Sequence, residues 1–277
     1  MRKIPFLCAM LLLLTSCSIY GSSDKVMLNP KKELALELKK SIPPSFFPRK
    51  LSVVAAGDSL TEGVGDSRRR GGYLPYLAVK LEKDQSVKEV TVRNYGVSGN
   101  RTDQLLGRLR QPEVDAEIKK ADIVLVTIGG NDLMKVIKQN IDSLEMDDFK
   151  AELADYQTRV ESIIHHIDTL NPEAAIVLIG VYNPFFVWFS DIKEMDEVVE
   201  GWNKAGEAVI RKYDNAYFVG IQDIFQESKT NLLYTDKFHP NDKGYRLIAD
   251  RVYASLEGKP IKLLADRAYT AGKGEKN

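Results

Sequence analysis

Leu51-Ser52-Val53-Val54-Ala55-Ala56-Gly57-Asp58-Ser59-Leu60 is a short apolar run that stops at a glycine and passes at once into polar residues. A run this short, apolar and closed by a turn residue reads as a buried strand. Similar runs follow at 90–94, 123–128, 175–181 and 216–221, and helical stretches lie at about 72–84, 102–119, 147–170, 194–213 and 241–256. Five buried-type strands alternating with helices call for a parallel sheet covered on both faces. Right-handed crossovers then join the strands, so residues 50–257 read as one α/β sandwich. In such sheets ligands bind beyond the carboxyl ends of the strands. The residues just after each strand are therefore the place to look for chemistry.

After the first strand comes Gly57-Asp58-Ser59-Leu60, and after the second Asn94-Tyr95-Gly96-Val97-Ser98-Gly99-Asn100. Gly129-Gly130-Asn131-Asp132 follows the third, and Asp236-Lys237-Phe238-His239-Pro240 precedes the last helix. This set holds a nucleophile, donors and a base. A serine hydroxyl attacks poorly unless a nearby base takes its proton. His165 and His166 sit inside a helical stretch, whereas His239 lies in a loop with Asp236 three residues before it. A carboxylate there can orient the imidazole through Nδ1–H and leave Nε2 to accept from Ser59. The backbone N–H groups of Ser59 and Gly99 and the Asn131 side-chain amide are plausible donors to a developing oxyanion. Glycine at 99 lets the backbone approach a ligand. Asp58 and Asp132 read as loop-bracing and helix-capping carboxylates.

These four clusters, in this order and spacing, resemble the SGNH hydrolase superfamily, also called the GDSL esterases and lipases, over roughly residues 50–257. The family's letters fall on Ser59, Gly99, Asn131 and His239, with Asp236 matching its Asp-x-x-His block. The resemblance implies a flavodoxin-like three-layer α/β/α sandwich with a five-stranded parallel sheet. It implies a Ser59-His239-Asp236 triad, an oxyanion hole from Ser59, Gly99 and Asn131, and no metal or organic cofactor. Gly99 is preferred to Gly96 as donor because it aligns with the Ser-Gly-polar ending of the second block. No Gly-x-Ser-x-Gly elbow, phosphate-binding Gly-x₄-Gly-Lys loop, His-Glu-x-x-His or Cys-x-x-Cys competes with this reading.

Lys+Arg and Asp+Glu are equal at 39 each, so no basic excess points to nucleic acid. Hydrophobic residues at 44% and charged residues at 28% are an ordinary globular composition. At the start, Arg2 and Lys3 precede an apolar stretch over 4–14. A spanning helix needs about 20 apolar residues, so this stretch reads instead as a secretory signal over residues 1–16. It ends in Leu14-Thr15-Ser16-Cys17, which resembles the lipobox of bacterial lipoproteins and makes Cys17 the lipidation site. Residues 17–49 then read as the lipidated cysteine, a tether and a lead-in segment, and 258–277 as a tail that shows no core pattern beyond Ile261 to Leu264 and is expected on the surface. With Cys8 inside the leader, a chain processed before Cys17 has no disulfide and carries 37 basic against 39 acidic residues. Acyl chains hold such a protein at a membrane without a spanning helix. The expected location is the extracytoplasmic face of the cell membrane, as in the membrane-anchored lipase-like group of Gram-positive bacteria, and the expected state is monomeric.

The expected activity is hydrolysis of a carboxylic ester through an acyl-enzyme. Phe185-Phe186-Val187-Trp188-Phe189 follows the fourth strand and reads either as an acyl-pocket wall or lid or as a packing loop. Arg68-Arg69-Arg70 reads either as an anion-attracting patch or as a solvated charge run. A lipid or other acyl ester is the first substrate class. Removal of O-acetyl groups from cell-wall polysaccharide is the alternative, and a surface-anchored binding protein that kept the fold but lost turnover is the non-enzyme rival.

Overall fold

The computed structural model describes residues 48–185 and 193–258, together with 260, 261 and 264. The leader, Cys17, the tether and residues 186–189 of the aromatic segment lie outside the described residues. Five strands form one sheet: β1 (Arg49–Gly57), β2 (Val87–Gly96), β3 (Ile123–Thr127), β4 (Ala175–Ile179) and β5 (Ala216–Val219). All pairs are parallel and the spatial order is β2-β1-β3-β4-β5. This is the doubly wound order that switches direction between β1 and β3.

The strand sequences explain the layering. Strands β3 and β4 are buried at every position, which requires cover on both faces and an apolar residue at each step. Alternate residues of β1 divide accordingly. Val54 and Ala56 face a core shared with α3 (Thr102–Leu109), α4 (Pro112–Ile118), α6 (Met146–Leu170) and α7 (Lys193–Ile210). Val53 and Ala55 face the opposite core, built with α2 (Leu74–Leu81) and α9 (Asp242–Leu256). The edge strand β2 exposes Lys88, Glu89 and Arg93, and charges on an edge discourage pairing with another chain.

Three short helices complete the element order: α1 (Ser59–Glu62), α5 (Gly130–Gln139) and α8 (Gln222–Gln226). None of them belongs to the helices read from periodicity. The stretch expected as one helix over 102–119 is two, because Pro112 cannot continue α3 and instead starts α4 at its first turn. The surface expectation for the tail is also corrected at its start. Ile261 and Leu264 are buried in the α2/α9 core, and Arg49 Nη1 donates to the Leu264 carbonyl at 2.6 Å. No helix among the described residues is long and apolar enough to cross a membrane.

Candidate active site

Gly57 ends β1 where the chain crosses closely over β3; a Cβ there would lie 2.3 Å from Thr127 O. The next residue, Asp58, caps α1 by accepting from Leu60 N at 3.1 Å. Ser59 thus occupies the first position of a one-turn helix. An N–H at that position has no partner within the helix, which leaves Ser59 N–H available to a ligand. Gly63, at φ +93°, ends the helix after a single turn.

The histidine arrives from the other end of the chain. Tyr234 N donates to His239 O at 2.7 Å, and Asn241 caps α9 through Lys243 N and Gly244 N, fixing both ends of the loop. Within it, Asp236 Oδ1 accepts from Phe238 N (2.9 Å) and His239 N (3.0 Å), while Oδ2 lies 2.8 Å from His239 Nδ1. A carboxylate only accepts, so Nδ1 carries the proton and Nε2 is the accepting nitrogen. That Nε2 lies 2.9 Å from Ser59 Oγ. Burial pushes the Asp236 carboxyl up, but the bonds from the His239 ring and the two backbone N–H groups outweigh it and hold the group below the usual carboxylate range. Ser59, His239 and Asp236, read from blocks 180 residues apart in sequence, therefore meet in one hydrogen-bonded chain.

The donor loops converge on the same place. Gly96 N is engaged by Asn94 Oδ1 at 2.8 Å, and a Cβ at Gly96 would lie 2.1 Å from Glu62 N. Gly99 has φ +80° and nothing within 4 Å of where a Cβ would be. Gly96 is thus a packing glycine and Gly99 an open one. Asn131 Nδ2 donates to Asn100 O at 3.0 Å, which ties the start of α5 to the loop carrying Gly99. Asp132 strengthens the tie: it is buried and accepts from Thr102 N (3.1 Å) and Thr102 Oγ1 (2.5 Å), with Arg159 Nη2 at 3.4 Å. Burial raises the Asp132 carboxyl, opposed by the Thr102 bonds and the Arg159 charge.

Asp58 is buried as well. Desolvation pushes it up to about 7 against the hydrogen bonds from Thr127 and Leu60 N, with Asp132 adding a like charge. Both aspartates brace loops, as expected, though Asp132 caps α3 across space rather than its own helix. The other two histidines stand elsewhere: His165 is exposed, and His166 Nε2 lies 3.0 Å from Asp115 Oδ1 on α4.

An apolar cleft, partly open to solvent, lies beside Ser59 and His239 beyond β3 and β4. Asp58 and Leu60 wall it beside Ser59, Phe238 beside His239, and Leu133, Met134, Met195 and Val199 line it further in. Phe238 contacts the His239 ring edge-on at 5.0 Å and the Phe185 ring at 6.1 Å. Tyr182 OH donates to Phe238 O at 2.6 Å and stacks on Phe225, fastening the histidine loop to the end of β4. Phe238 and Tyr182 were not singled out from the sequence. The signal for Phe238 was present, as an apolar residue inside an otherwise polar loop.

The family model of the GDSL-like lipases and acylhydrolases matches residues 55–247. The uncharacterized protein YpmR of Bacillus subtilis is 38% identical over 264 residues, covering 94% of this chain and 98% of that protein. The spore germination lipase LipC of Bacillus licheniformis is 27% identical over 221 residues, 75% of this chain and 99% of that one. Among solved structures, the lipase Lip_vut3 from a goat rumen metagenome superposes with a TM-score of 0.69 at 24% identity, over 76% of this chain and 99% of that one. That last likeness speaks to the fold.

Proposed function

From the premise that this chain belongs to the GDSL-like lipase and acylhydrolase family, and so among ester hydrolases, we propose that it cleaves carboxylic esters of apolar acyl chains by a serine mechanism. Ser59 Oγ attacks the ester carbonyl while His239 Nε2 takes its proton. Asp236 holds the ring in the required tautomer and stabilises the imidazolium. The carbonyl oxygen becomes an oxyanion that Ser59 N–H, Gly99 N–H and Asn131 Nδ2 receive. As the tetrahedral intermediate collapses, His239 returns the proton to the leaving alcohol and the acyl group stays on Ser59. A water then gives its proton to His239 and attacks the acyl-enzyme, which releases the acid and restores the serine.

The observation that carries this reading is the 2.9 Å approach of His239 Nε2 to Ser59 Oγ at the edge of an apolar cleft. The cleft is lined by apolar side chains, among them Leu133, Met134, Met195 and Val199, and that lining favours an apolar acyl chain over deacetylation of a polysaccharide. The intact triad geometry likewise argues against a binding protein without turnover. The leader-like residues 1–16 and Cys17 support action outside the cytoplasm from a lipid anchor, with the protein as a monomer.

The test is hydrolysis of p-nitrophenyl esters from acetyl to dodecanoyl by the chain from Ser18 onward, beside Ser59→Ala. Activity should rise with chain length and fall by about 10⁴ or more in the variant. Equal rates in both proteins would remove Ser59 as nucleophile. Activity confined to acetyl would move the substrate to the polysaccharide alternative.

A further inference from the structure

Phe238 stands where the histidine loop meets the apolar cleft. Residues 234–237 of that loop are exposed, and the chain turns inward at Lys237, whose backbone is left-handed at φ +57°. That conformation is uncommon for a long side chain, and such a position persists where its surroundings hold it. The hold is visible on both sides of the next peptide unit. Phe238 N–H donates to Asp236 Oδ1 at 2.9 Å, and Phe238 O accepts from the Tyr182 hydroxyl at 2.6 Å. Tyr182 is itself buried and stacked on Phe225, with ring centroids 3.9 Å apart.

The backbone of Phe238 is thus pinned, and its ring is shared between two neighbours of different kinds. On one side the ring meets the His239 imidazole at 5.0 Å, with the planes at 73°. On another it lines the cleft together with Leu60, Tyr182 and Phe185. His239 Nε2 must lie within hydrogen-bond reach of Ser59 Oγ, as it does at 2.9 Å, for proton transfer to occur. The cleft is partly open to solvent, so while it is empty the Phe238 ring has room to turn about its side-chain torsions. A guest packed in the cleft takes that room away, and the imidazole then has a fixed wall beside it.

We propose that Phe238 is a positioning residue that couples the acyl chain in the cleft to His239: a chain packed against the ring holds the imidazole in line with Ser59, so that acyl length is expressed in kcat. The assignment rests on the ester-hydrolase reading above and adds how the substrate's remote end assists the chemistry. Binding energy from a part of the substrate far from the reacting bond goes into orientation at that bond, and truncated substrates then lose kcat. The acyl tail stays in the cleft while the acyl group is on Ser59. His239 moves a proton in both acylation and deacylation, so the contact serves both steps.

The experiment measures kcat and KM separately for p-nitrophenyl acetate, butanoate, hexanoate and octanoate, all as monomers below micelle formation. The wild-type kcat should rise by about tenfold from acetyl to octanoyl. Phe238→Leu keeps an apolar wall but no ring, and its kcat for octanoyl should come within about twofold of its own kcat for acetyl while KM still falls along the series. Phe238→Tyr keeps the ring and should keep the rise. Tyr182→Phe removes the bond to Phe238 O and leaves the stack on Phe225. Its kcat deficit against the wild type should be about tenfold on acetyl and narrow to about threefold on octanoyl, where the tail takes over part of the hold.

A wild-type kcat that stays flat while KM falls would overturn the coupling and leave ester hydrolysis standing. A rise that Phe238→Leu retains would overturn it too, as would a Tyr182→Phe deficit equal at every chain length, which is what a purely structural fastening produces. Should Phe238→Leu fail to fold, the chain-length dependence of the Tyr182→Phe deficit decides alone. If no ester is cleaved, or Ser59→Ala cleaves them equally well, the underlying reading fails and the coupling with it.

Discussion

The Thr127 hydroxyl donates to Asp58 Oδ1 at 2.9 Å, joining the end of β3 to the residue that caps the helix carrying Ser59. Because Thr127 gives its proton to Asp58, it accepts from Thr61 Oγ1 at 2.7 Å, and Thr61 in turn accepts from Tyr73 OH at 3.0 Å. The chain of hydroxyls is buried throughout, so its donors point one way and polarise one another toward the aspartate. It acts on Ser59 through position: Asp58 sets where α1 begins, and α1 sets where Ser59 Oγ meets His239.

Thr127→Val should therefore weaken both fold and catalysis. The substitution keeps the shape, strips Asp58 of a donor, and leaves the Thr61 hydroxyl without its acceptor. Losing a partner to a buried polar group costs about 1–3 kcal/mol, readable as a lower urea midpoint. A loosened nucleophile should lower kcat by about tenfold with KM little moved. Thr127→Ser, which keeps the hydroxyl, should recover most of kcat. Recovery of stability without recovery of kcat would show that the chain serves folding alone.

Asp58 also gives stability a particular pH dependence. Its folded value of about 7 stands above the 3.8 of the free side chain, so between those values the folded protein holds a proton that the unfolded chain has released. Stability from this group falls as pH rises from about 4 to about 7 and levels off above, by on the order of a few kcal/mol. Asp58→Asn can still accept from Leu60 N and Thr127 Oγ1 but has no charge to bury. The stability of Asp58→Asn minus that of the wild type should climb across that window and then plateau. Asp236, whose depressed value stabilises the fold above about pH 4, contributes to both proteins and cancels in the difference. A difference that stays flat with pH would contradict the raised value.

The two glycines of the second block should fail in different ways. Gly96→Ala puts a Cβ 2.1 Å from Glu62 N and 2.5 Å from Thr61 C, both backbone atoms that cannot move without shifting α1. It should lower the melting temperature markedly and reduce the yield of folded protein. Gly99→Ala meets no atom but must hold φ +80°, at a cost of about 1–2 kcal/mol. Relaxation of that strain turns the Gly99 N–H away from the carbonyl, and losing one such donor typically costs about 10²–10³ in kcat. Calorimetry and steady-state kinetics on the pair separate the roles. A Gly99→Ala enzyme with full kcat would remove that N–H from the oxyanion hole.

Most of the fold was legible because its signal is local. Five short apolar runs with turn residues at their ends read as strands of one sheet, and the central β3 and β4 are buried at every position, whereas the edge strands β2 and β5 are not. The candidate site was legible because each of its residues sits just after one of those runs or just before the last helix. What was not legible is the contact between runs. Asp132 braces Thr102, thirty residues away, and Thr127 reaches Asp58 across 69; no periodicity records such pairs. Helix α1 is too short to show a period, and Gly129-Gly130 hides the start of α5. Ile261-Lys262-Leu263-Leu264 is too short an apolar pattern to show a period, and it gains meaning once Arg49 is seen to bond the Leu264 carbonyl.

The apolar cleft gives the remaining prediction, because its depth is lined by side chains whose size can be changed without touching the triad. Met134 on α5 and Met195 on α7 both line it, and methionine is a flexible filler that adapts to what lies beside it. Met134→Trp should occupy the space an acyl tail would take. Each methylene excluded from an apolar wall forfeits about 0.8 kcal/mol, close to fourfold in kcat/KM, so a tail shortened by three carbons should lose about 50-fold. The chain-length profile should therefore shift toward butanoyl and hexanoyl esters while the acetyl rate stays within about twofold of the wild type. Met195→Ala should do the opposite and extend the profile. A uniform drop at every chain length would mean that Met134→Trp disturbed Asn131, three positions earlier on the same helix, and the acyl tail would then have to be placed outside this cleft. A profile that shifts with both substitutions, in opposite directions, places it inside.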